Sequence, residues 1–593
     1  MLRTPSNRSI PLFLPAAICL LGISSQAEYV GEIVAQQTET LPGFTAGETL
    51  ANLTGSGGIS GEQSPRIADD GSIFAEFRVS GTTPNRDAGY VIFPPAGDPV
   101  LVVREGDLSP AGGDSVIIQP TSVLNAYGAD GTLVWMGQIT GTGITTSNND
   151  ALFRHRNGDT GIAIREGTNI DVLTQSGGTT TLPFNQPSVN QVFTSNGGKL
   201  AFQQNGQLYR EAVGGYQRYF RTGDMAAADG TWSTSVHGAM APDGSFIGQT
   251  FSIKPPPTTS LSTYGFAAAD SATSGILLRQ SDFAPGSPTR VLETFNSLRY
   301  AASTEGRFAA IHLARPLEGF ATPTLFVGTA GQSVERALQN GDPVPGLPGA
   351  TVSGVVSCDA AGNHVIAWIN VANGGGTTLA ILKRTFDDPE WTMVMRSGQQ
   401  ADAPTGVAIG NFLRFQVAED GTVALQAAVL SHPGGGSFAT RGIFVHRKNR
   451  LELVAHIGMA LPGGETIGTG LFVHDRGESG QNGGGRFMNS SGVITLRAPV
   501  FRSTAPTYSA RDSILVFRPN DPPTNLEFTW QRIGNRIVIT VPSEIGLSYV
   551  IEESDDLEVW TTPGTPIAGT GADLNLEASI TPPGRKFFRV RAE

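Results

Sequence analysis

Short apolar runs recur along most of the chain, separated by turns rich in Gly, Asp, Asn and Ser, and this spacing predicts strands and turns in place of amphipathic helices. Eight glycines each introduce such a run: Gly71, Gly131, Gly198, Gly244, Gly306, Gly362, Gly421 and Gly492, at spacings of 60, 67, 46, 62, 56, 59 and 71 residues. Three and four positions on, the chain carries pairs such as Phe74-Ala75, Val134-Trp135, Ala201-Phe202, Val365-Ile366 and Ala424-Leu425, which suit strands covered on both faces. The strings "ADDG", "GADG", "APDG" and "AEDG" are hairpin-turn chemistry, because a short acidic side chain bonds nearby backbone and glycine accepts positive φ. They lack the spaced ligands and terminal Glu of a calcium loop, so they are read as turns.

Each unit has the same internal order. The glycine strand is followed by a Gly/Thr/Asn/Ser loop, a short strand such as "GYVIF" or "GIFV", and a third strand ending in a charged turn. That third strand reads "LVVREGD" at 101, "IAIREGT" at 162, "RYFRTGD" at 218, "ILLRQSD" at 276, "RALQNGD" at 336, "MVMRSGQ" at 393 and "LVAHIGM" at 453. A segment without regular alternation, such as "SVIIQPTSV", then leads to the next glycine. Three or four short strands per unit are what a propeller blade needs. The last unit has "SILVF" but no third strand, and the mature N-terminus supplies "EIVAQQTETLPG" at 32–43, a third strand without predecessors. The fold expected is therefore all-β: an eight-bladed β-propeller over 28–519, closed by the N-terminal strand and leaving no open edge.

Composition adds the compartment. Residues 1–27 place Arg3 and Arg8 before an apolar stretch, Ile10 to Ile23, and end in "SSQA", the pattern of a secretory signal peptide. Ile18 occupies the place where a lipoprotein site at Cys19 would want a small residue, and no later segment approaches 18 apolar residues, so neither a lipid anchor nor a membrane span is expected. Removing Arg3 and Arg8 takes the formal charge from −12 to −14, which repels phosphate backbones and sets nucleic acid aside. Cys358 is the one cysteine left after the leader, so no intramolecular disulfide forms; it reads as a small buried hydrophobe. Gly and Pro make up roughly a fifth of the 593 residues, yet 39% are apolar, which fits many turns and not disorder.

Beyond a Pro-rich linker at 520–525 the pattern changes to loose apolar/polar alternation over 526–593, the size of a small β-sandwich, with Trp560 expected in its core; sugar stacking by that indole is the alternative. The repeats resemble those of secreted bacterial tandem-repeat proteins of the N-x-x-G-x-x-A-F, or choice-of-anchor, type. "GKLAF" at 198–202 matches the second half of that pattern, "NSSG" at 489–492 the first, and "NGDPVPG" at 340–346 the turn of the third strand. The Asn position is held elsewhere by Ala68, Gly128, Ser195, Ala241, Ser303, Asp359 and Ala418. The C-terminal segment is similar to fibronectin III-like modules. What the resemblance implies is export and repetition, with no assigned reaction.

Candidate chemistry centres on the repeated arginines Arg104, Arg165, Arg221, Arg279 and Arg396, which occupy one place in successive units. Projecting into a common face or channel, they would bind carboxylates or sulfates. The competing assignment gives each a local acid, such as Glu105 or Glu166, or strand-end carbonyls. The histidines show no H-E-x-x-H or H-x-H spacing, so no metal and no cofactor is expected; approach of His446 and His456, near opposite ends of one hairpin, is the alternative. A G-x-S-x-G elbow and the sialidase-type S-x-D-x-G-x-x-W box are missing; "SCDAAGNHVIAW" at 357–368 has the wrong spacing. The expectation is an exported, monomeric, non-catalytic binding or scaffold protein, secreted, periplasmic or on the cell surface, with an extracellular glycan or surface protein as partner. A polysaccharide-active hydrolase or lyase with carboxylates at the channel mouth is the alternative.

Overall fold

The computed structural model describes residues 29–592, except 54–63, 120–124, 220–224, 255–262, 294–298, 432–439, 474–485, 503–509, 520–528, 555–559, 580–586 and shorter breaks of one to four residues. Residues 1–27, expected to be a signal peptide, therefore lie outside the described residues. The chain is all-β, and no described helix is long and apolar enough to cross a membrane. Two compact units divide at the linker side of Arg518: Gly31–Arg518, and one that contains Pro519–Glu593.

The described strands of the larger unit form eight sheets in chain order. The sixth is the most regular, with Thr351–Ala361, His364–Asn373, Gly376–Thr385 and Thr392–Arg396 paired consecutively and antiparallel. The third gains a hairpin, Asn169–Leu173 and Thr179–Pro183, whose first strand pairs parallel with Gly215–Tyr219. In the eighth, Glu465–Ile467, Ile494–Arg502 and Arg511–Pro519 are followed by Tyr29–Gln36 from the other end of the unit. "EIVAQQ" and "SILVF" are thus paired strands, with Gln37 N–H donating to the Asp512 carbonyl at 2.8 Å.

All eight repeat glycines adopt positive φ, from 51° at Gly362 to 86° at Gly71, a region in which a Cβ would be strained. In the first unit Gly71 N–H donates to the Ala68 carbonyl, Ala68 N–H to the Ser72 carbonyl, and Ser72 N–H to Asp70 Oδ1. Asp130 and Asp420 cap their turns in the same manner through Thr132 and Thr422. In seven of the eight strands that leave these turns consecutive residues are buried, so both faces are covered: Phe74-Ala75, Val134-Trp135, Ala201-Phe202, Ala309-Ala310, Val365-Ile366, Ala424-Leu425 and Thr495-Leu496. Consecutive sheets share the resulting cores. Trp135 stacks on Phe153 of its own sheet at 5.2 Å and meets Tyr90 of the first sheet edge-on at 5.5 Å. Ala35, Val493, Ile514 and Val516 of the eighth sheet pack with Ile73, Phe77 and Val91 of the first.

The glycine turns also touch one another in series. Asp69 N–H donates to the Ala129 carbonyl, Gly128 abuts Thr194, Gly244 abuts Ser195, and Glu305 N–H donates to Asp243. Ser303 Oγ donates to the Gly362 carbonyl, Gly362 abuts Glu419, and Gln416 Nε2 donates to the Met488 carbonyl. Ser490 N–H donates back to Asp69 at 2.9 Å.

The charged turn has its own architecture. Its third residue takes positive φ at Thr38, Gly106, Gly167, Ser281, Gly341, Gly398 and Gly458, the signature of a type II turn. Except at Gly167, whose N–H meets Phe184 beyond the added hairpin, that residue's N–H reaches the first strand of the following sheet, and a backbone N–H returns to the fourth residue: Gly106 to Ile117 and Ile117 to Asp107, Gly341 to Val352 and Val352 to Asp342, Gly398 to Ile409 and Ile409 to Gln399. At Thr38 the clasp holds Leu50, so the N-terminal segment carries the same device as the interior units. The segments expected to be irregular are in fact these first strands. Bulges hide their alternation, as between Val352 and Gly354 and between Ile409 and Phe412.

The smaller unit comprises two three-stranded sheets, one built from Thr529–Ile533, Arg536–Pro542 and Asp573–Ser579, the other from Ser548–Ser554, Ile567–Ala568 and Phe587–Ala592. Its core holds Ile539, Val541, Tyr549, Ile551, Leu576 and Phe588. Trp560, expected there, is only half-buried; Thr561 is bridged to Glu553, which keeps the indole's segment at the margin, and Tyr549 fills the centre.

One buried carboxyl makes the stability of the larger unit pH-dependent. Glu76 accepts a 2.9 Å hydrogen bond from Asn125 Nδ2 across the seam of the first two sheets, and burial pushes its pKa up to about 7 despite the nearby Arg66 and Arg78. The folded value lies above the unfolded one, so the ionised form is disfavoured by folding. Stability from this group is full below about pH 4.5 and falls as pH rises toward 7, by up to about 3 kcal/mol at 1.36 kcal/mol per unit. Denaturant unfolding should find Glu76→Gln more stable than the natural chain at pH 8, with the gain vanishing at pH 4.5.

Candidate ligand cleft between the second and third sheets

The described repeated arginines end the outer strand of their sheets, where the charged turn begins, and three of them, Arg104, Arg165 and Arg279, are engaged locally through the side chain. Arg104 is wholly buried: Nη1 and Nη2 donate to the two carboxylate oxygens of Glu48 at 2.7 Å, Nε donates to the Arg86 carbonyl, and the guanidinium lies 5.3 Å from the Phe44 ring centroid. The Arg104 bond holds the Glu48 carboxyl well below the usual carboxylate range. Glu105, expected as the partner, lies against Asp87 instead, and burial with that like charge raises its pKa. Glu166 is raised by burial and by Asp150. Arg165 donates to the Asn148 carbonyl, Arg279 pairs with Asp282 at 3.1 Å, and Arg396 is exposed, its N–H bonded to Gln399. Arg221 lies outside the described residues. The acid expected beside each arginine is replaced in the first unit because Arg104 and Glu105 are consecutive in sequence and face opposite ways, whereas Glu48 lies across the sheet edge.

Cations that cross between sheets are different ones. Arg154 and Arg210 stand on the third strands of their sheets and donate to the carbonyls of Gly198 and Gly244 in the next glycine turn; Lys383 does the same to Gly421. Their signal was present as a basic residue near the end of "DALFRHR", "QLYREA" and "TTLAILKRT", but the spacing to the glycine varies too much to show as a motif.

Arg154 belongs to an open cleft of about 780 Å³. Along Asp150–Arg156, Leu152 sits in the core shared with the third sheet, and two and four residues on the same face carries Arg154 and Arg156 as the strand reaches solvent. Opposite them, Tyr209 and Glu211 face the second sheet from Gln207–Ala212. Arg154 Nη1 bonds Glu211 Oε2 at 2.8 Å and the Gly198 carbonyl at 3.2 Å. Arg156 lies across Gly198, where a Cβ would fall 2.8 Å from its Cδ, and makes a loose 3.9 Å contact with Asp130. Exposed Lys199 stands at the rim; Ile162, Ala163, Ala212 and Val213 supply an apolar strip. Such a site can hold an anionic group against a carbon-rich surface.

Other sequence candidates stay apart. His446 pairs with Leu451 and His456 with Gly442, at opposite ends of their hairpin, so they are not brought together. Cys358 is a buried thiol packed among Val355, Val365 and Leu382, as expected of a small hydrophobe. Among the described residues no group of three His, Cys, Asp or Glu is placed to hold a metal.

Fold and cleft together define a class: an all-β protein of consecutive sheets with a mixed basic and apolar cleft in one seam. The chain belongs to the "Family of unknown function (DUF7453)", whose pattern matches residues 17–237 and 207–505. No curated protein matches the sequence. Solved structures with some likeness include the β-propeller domain of the Trilobed protease from Pyrococcus furiosus, at 9% identity over 66% of this chain and 96% of that one, TM-score 0.30. An oligogalacturonate lyase from Vibrio parahaemolyticus shows 11% identity over 76% and 98%, TM-score 0.31. Pyrococcus horikoshii acylaminoacyl peptidase shows 8% over 70% and 56%, TM-score 0.30. Likenesses this distant say nothing about what the cleft binds.

The Arg104–Glu48 pair yields a direct expectation. Arg104→Met leaves the Glu48 carboxylate buried without its partner, and equilibrium unfolding at pH 7 should register a loss of about 3–5 kcal/mol. Arg396→Met, on an exposed residue at the matching place, should stay within about 0.5 kcal/mol.

Proposed function

We propose that the chain is an exported, non-catalytic binding protein. Its larger unit is an eight-bladed β-propeller closed by the N-terminal strand, and its C-terminal unit is a fibronectin III-like β-sandwich; the ligand is an extracellular glycan held in the cleft between the second and third blades. The observation that carries the function is the cleft itself, where an open, solvent-facing volume combines charged hydrogen-bond donors with an apolar strip, the lining expected of a saccharide site. Support for the propeller comes from three features that agree: the Tyr29–Gln36 strand completing the eighth sheet, the core shared by the eighth and first sheets, and the succession of glycine turns that returns to Asp69. Support for export comes from residues 1–27 alone.

Two measurements test this. The leaderless full chain, applied to a glycan array, should retain a discrete set of oligosaccharides and leave them chemically intact; cleavage of a retained glycan would replace binding with catalysis. Removing residues 28–45 deletes the closing strand and the Thr38 clasp, so the thermal transition should fall sharply; an unchanged midpoint would contradict closure.

A further inference from the structure

We infer that the cleft between the second and third sheets selects acidic glycans, those carrying carboxylate or sulfate groups, and that Arg156 and Lys199 are the residues that hold the anion; this rests on the binding reading given above. The chain as a whole is acidic, at −12, yet four cations, Arg154, Arg156, Lys199 and Arg210, line this cleft, against Asp159 and Glu211 in the lining and Asp130 beside Arg156. A local positive excess on a negative molecule marks the place where an anion can approach.

The four cations are not equivalent. Arg210 is committed to the fold: it is buried, donates to the Gly244 carbonyl at 2.9 Å and to the Tyr219 hydroxyl at 2.6 Å, and packs over that ring. Arg154 is fixed between Glu211 and Gly198, and Glu211 also accepts from Leu200 N–H. Their positions are therefore set before any ligand arrives. Arg156 has only its loose contact with Asp130, and exposed Lys199 has no ion-pair partner among the described residues, so both retain donors for a ligand.

Gly198 joins them. With no Cβ, it lets the Arg156 side chain lie flat across the turn, with Lys199 next in sequence. A carboxylate or sulfate at this point meets a planar guanidinium fork and an ammonium, a combination that accepts either anion. Ile162, Ala163, Ala212 and Val213 then offer a surface for the carbon–hydrogen face of a sugar ring. A volume of about 780 Å³ lies within the span of small-ligand sites and suits a short oligosaccharide better than a single ion.

The test uses the leaderless full chain and three probes by titration calorimetry: a hexauronate, a sulfated hexasaccharide and a neutral glucohexaose, at low and at high salt. At least one acidic probe should bind more tightly than the neutral one and weaken with salt. Arg156→Ala and Lys199→Ala should each reduce that affinity by about tenfold, with melting temperatures nearly unchanged because both residues are exposed. Carboxylate and sulfate are told apart by which acidic probe binds. Equal binding of all three, or acidic affinity untouched by both variants, overturns the inference while leaving a glycan-binding protein. No binding of any probe by a chain that also retains nothing on the array overturns both.

Discussion

No sheet of this protein can stand alone. In seven of the eight sheets of the larger unit the second strand buries consecutive residues, as at Phe74-Ala75 and Val365-Ile366, so both faces of those sheets are covered by their neighbours, and the requirement passes from sheet to sheet along the unit. A linear stack would end in two naked apolar faces. Pairing Tyr29–Gln36 with Arg511–Pro519 brings the eighth sheet against the first, and Ala35, Ile514 and Phe77 share one core where the two ends would otherwise be exposed. Turns, clasps and the cleft are all arranged around that requirement.

The two recurring turns divide the labour. Glycine turns, tightened by Asp side chains, pack against one another and set the spacing of the first strands. Charged turns use a positive-φ third residue to clasp the next sheet, so Arg104 and Glu105 punctuate a repeat. The arginine's charge is consumed locally, by Glu48 in the first unit and by Asp282 in the fourth.

Much of the architecture was legible because it depends on local chemistry. Gly71 through Gly492 announce their turns, and the orphan "EIVAQQ" announces its partner "SILVF" because a repeat with one strand too few at one end and one too many at the other has a single economical solution. The first strands were hidden because bulges disrupt their alternation, as at Val352 and Gly354. The partner of Arg104 was hidden because Glu48 precedes it by 56 residues and meets it only after the sheet has formed. The cleft was least legible: Arg154, Arg156 and Lys199 come from adjacent sheets, and nothing in one repeat forecasts that they meet. Trp560 was assigned by residue type, and Tyr549 took the place because its strand lies at the centre of the sandwich.

Hydrogen exchange of the backbone amides in Tyr29–Gln36 tests closure most directly. If the N-terminal strand is the outer strand of the last blade, those amides exchange as slowly as the amides of Arg511–Pro519 and lose protection together with them as denaturant is raised. Fast exchange of Tyr29–Gln36 while Arg511–Pro519 stays protected would contradict the account.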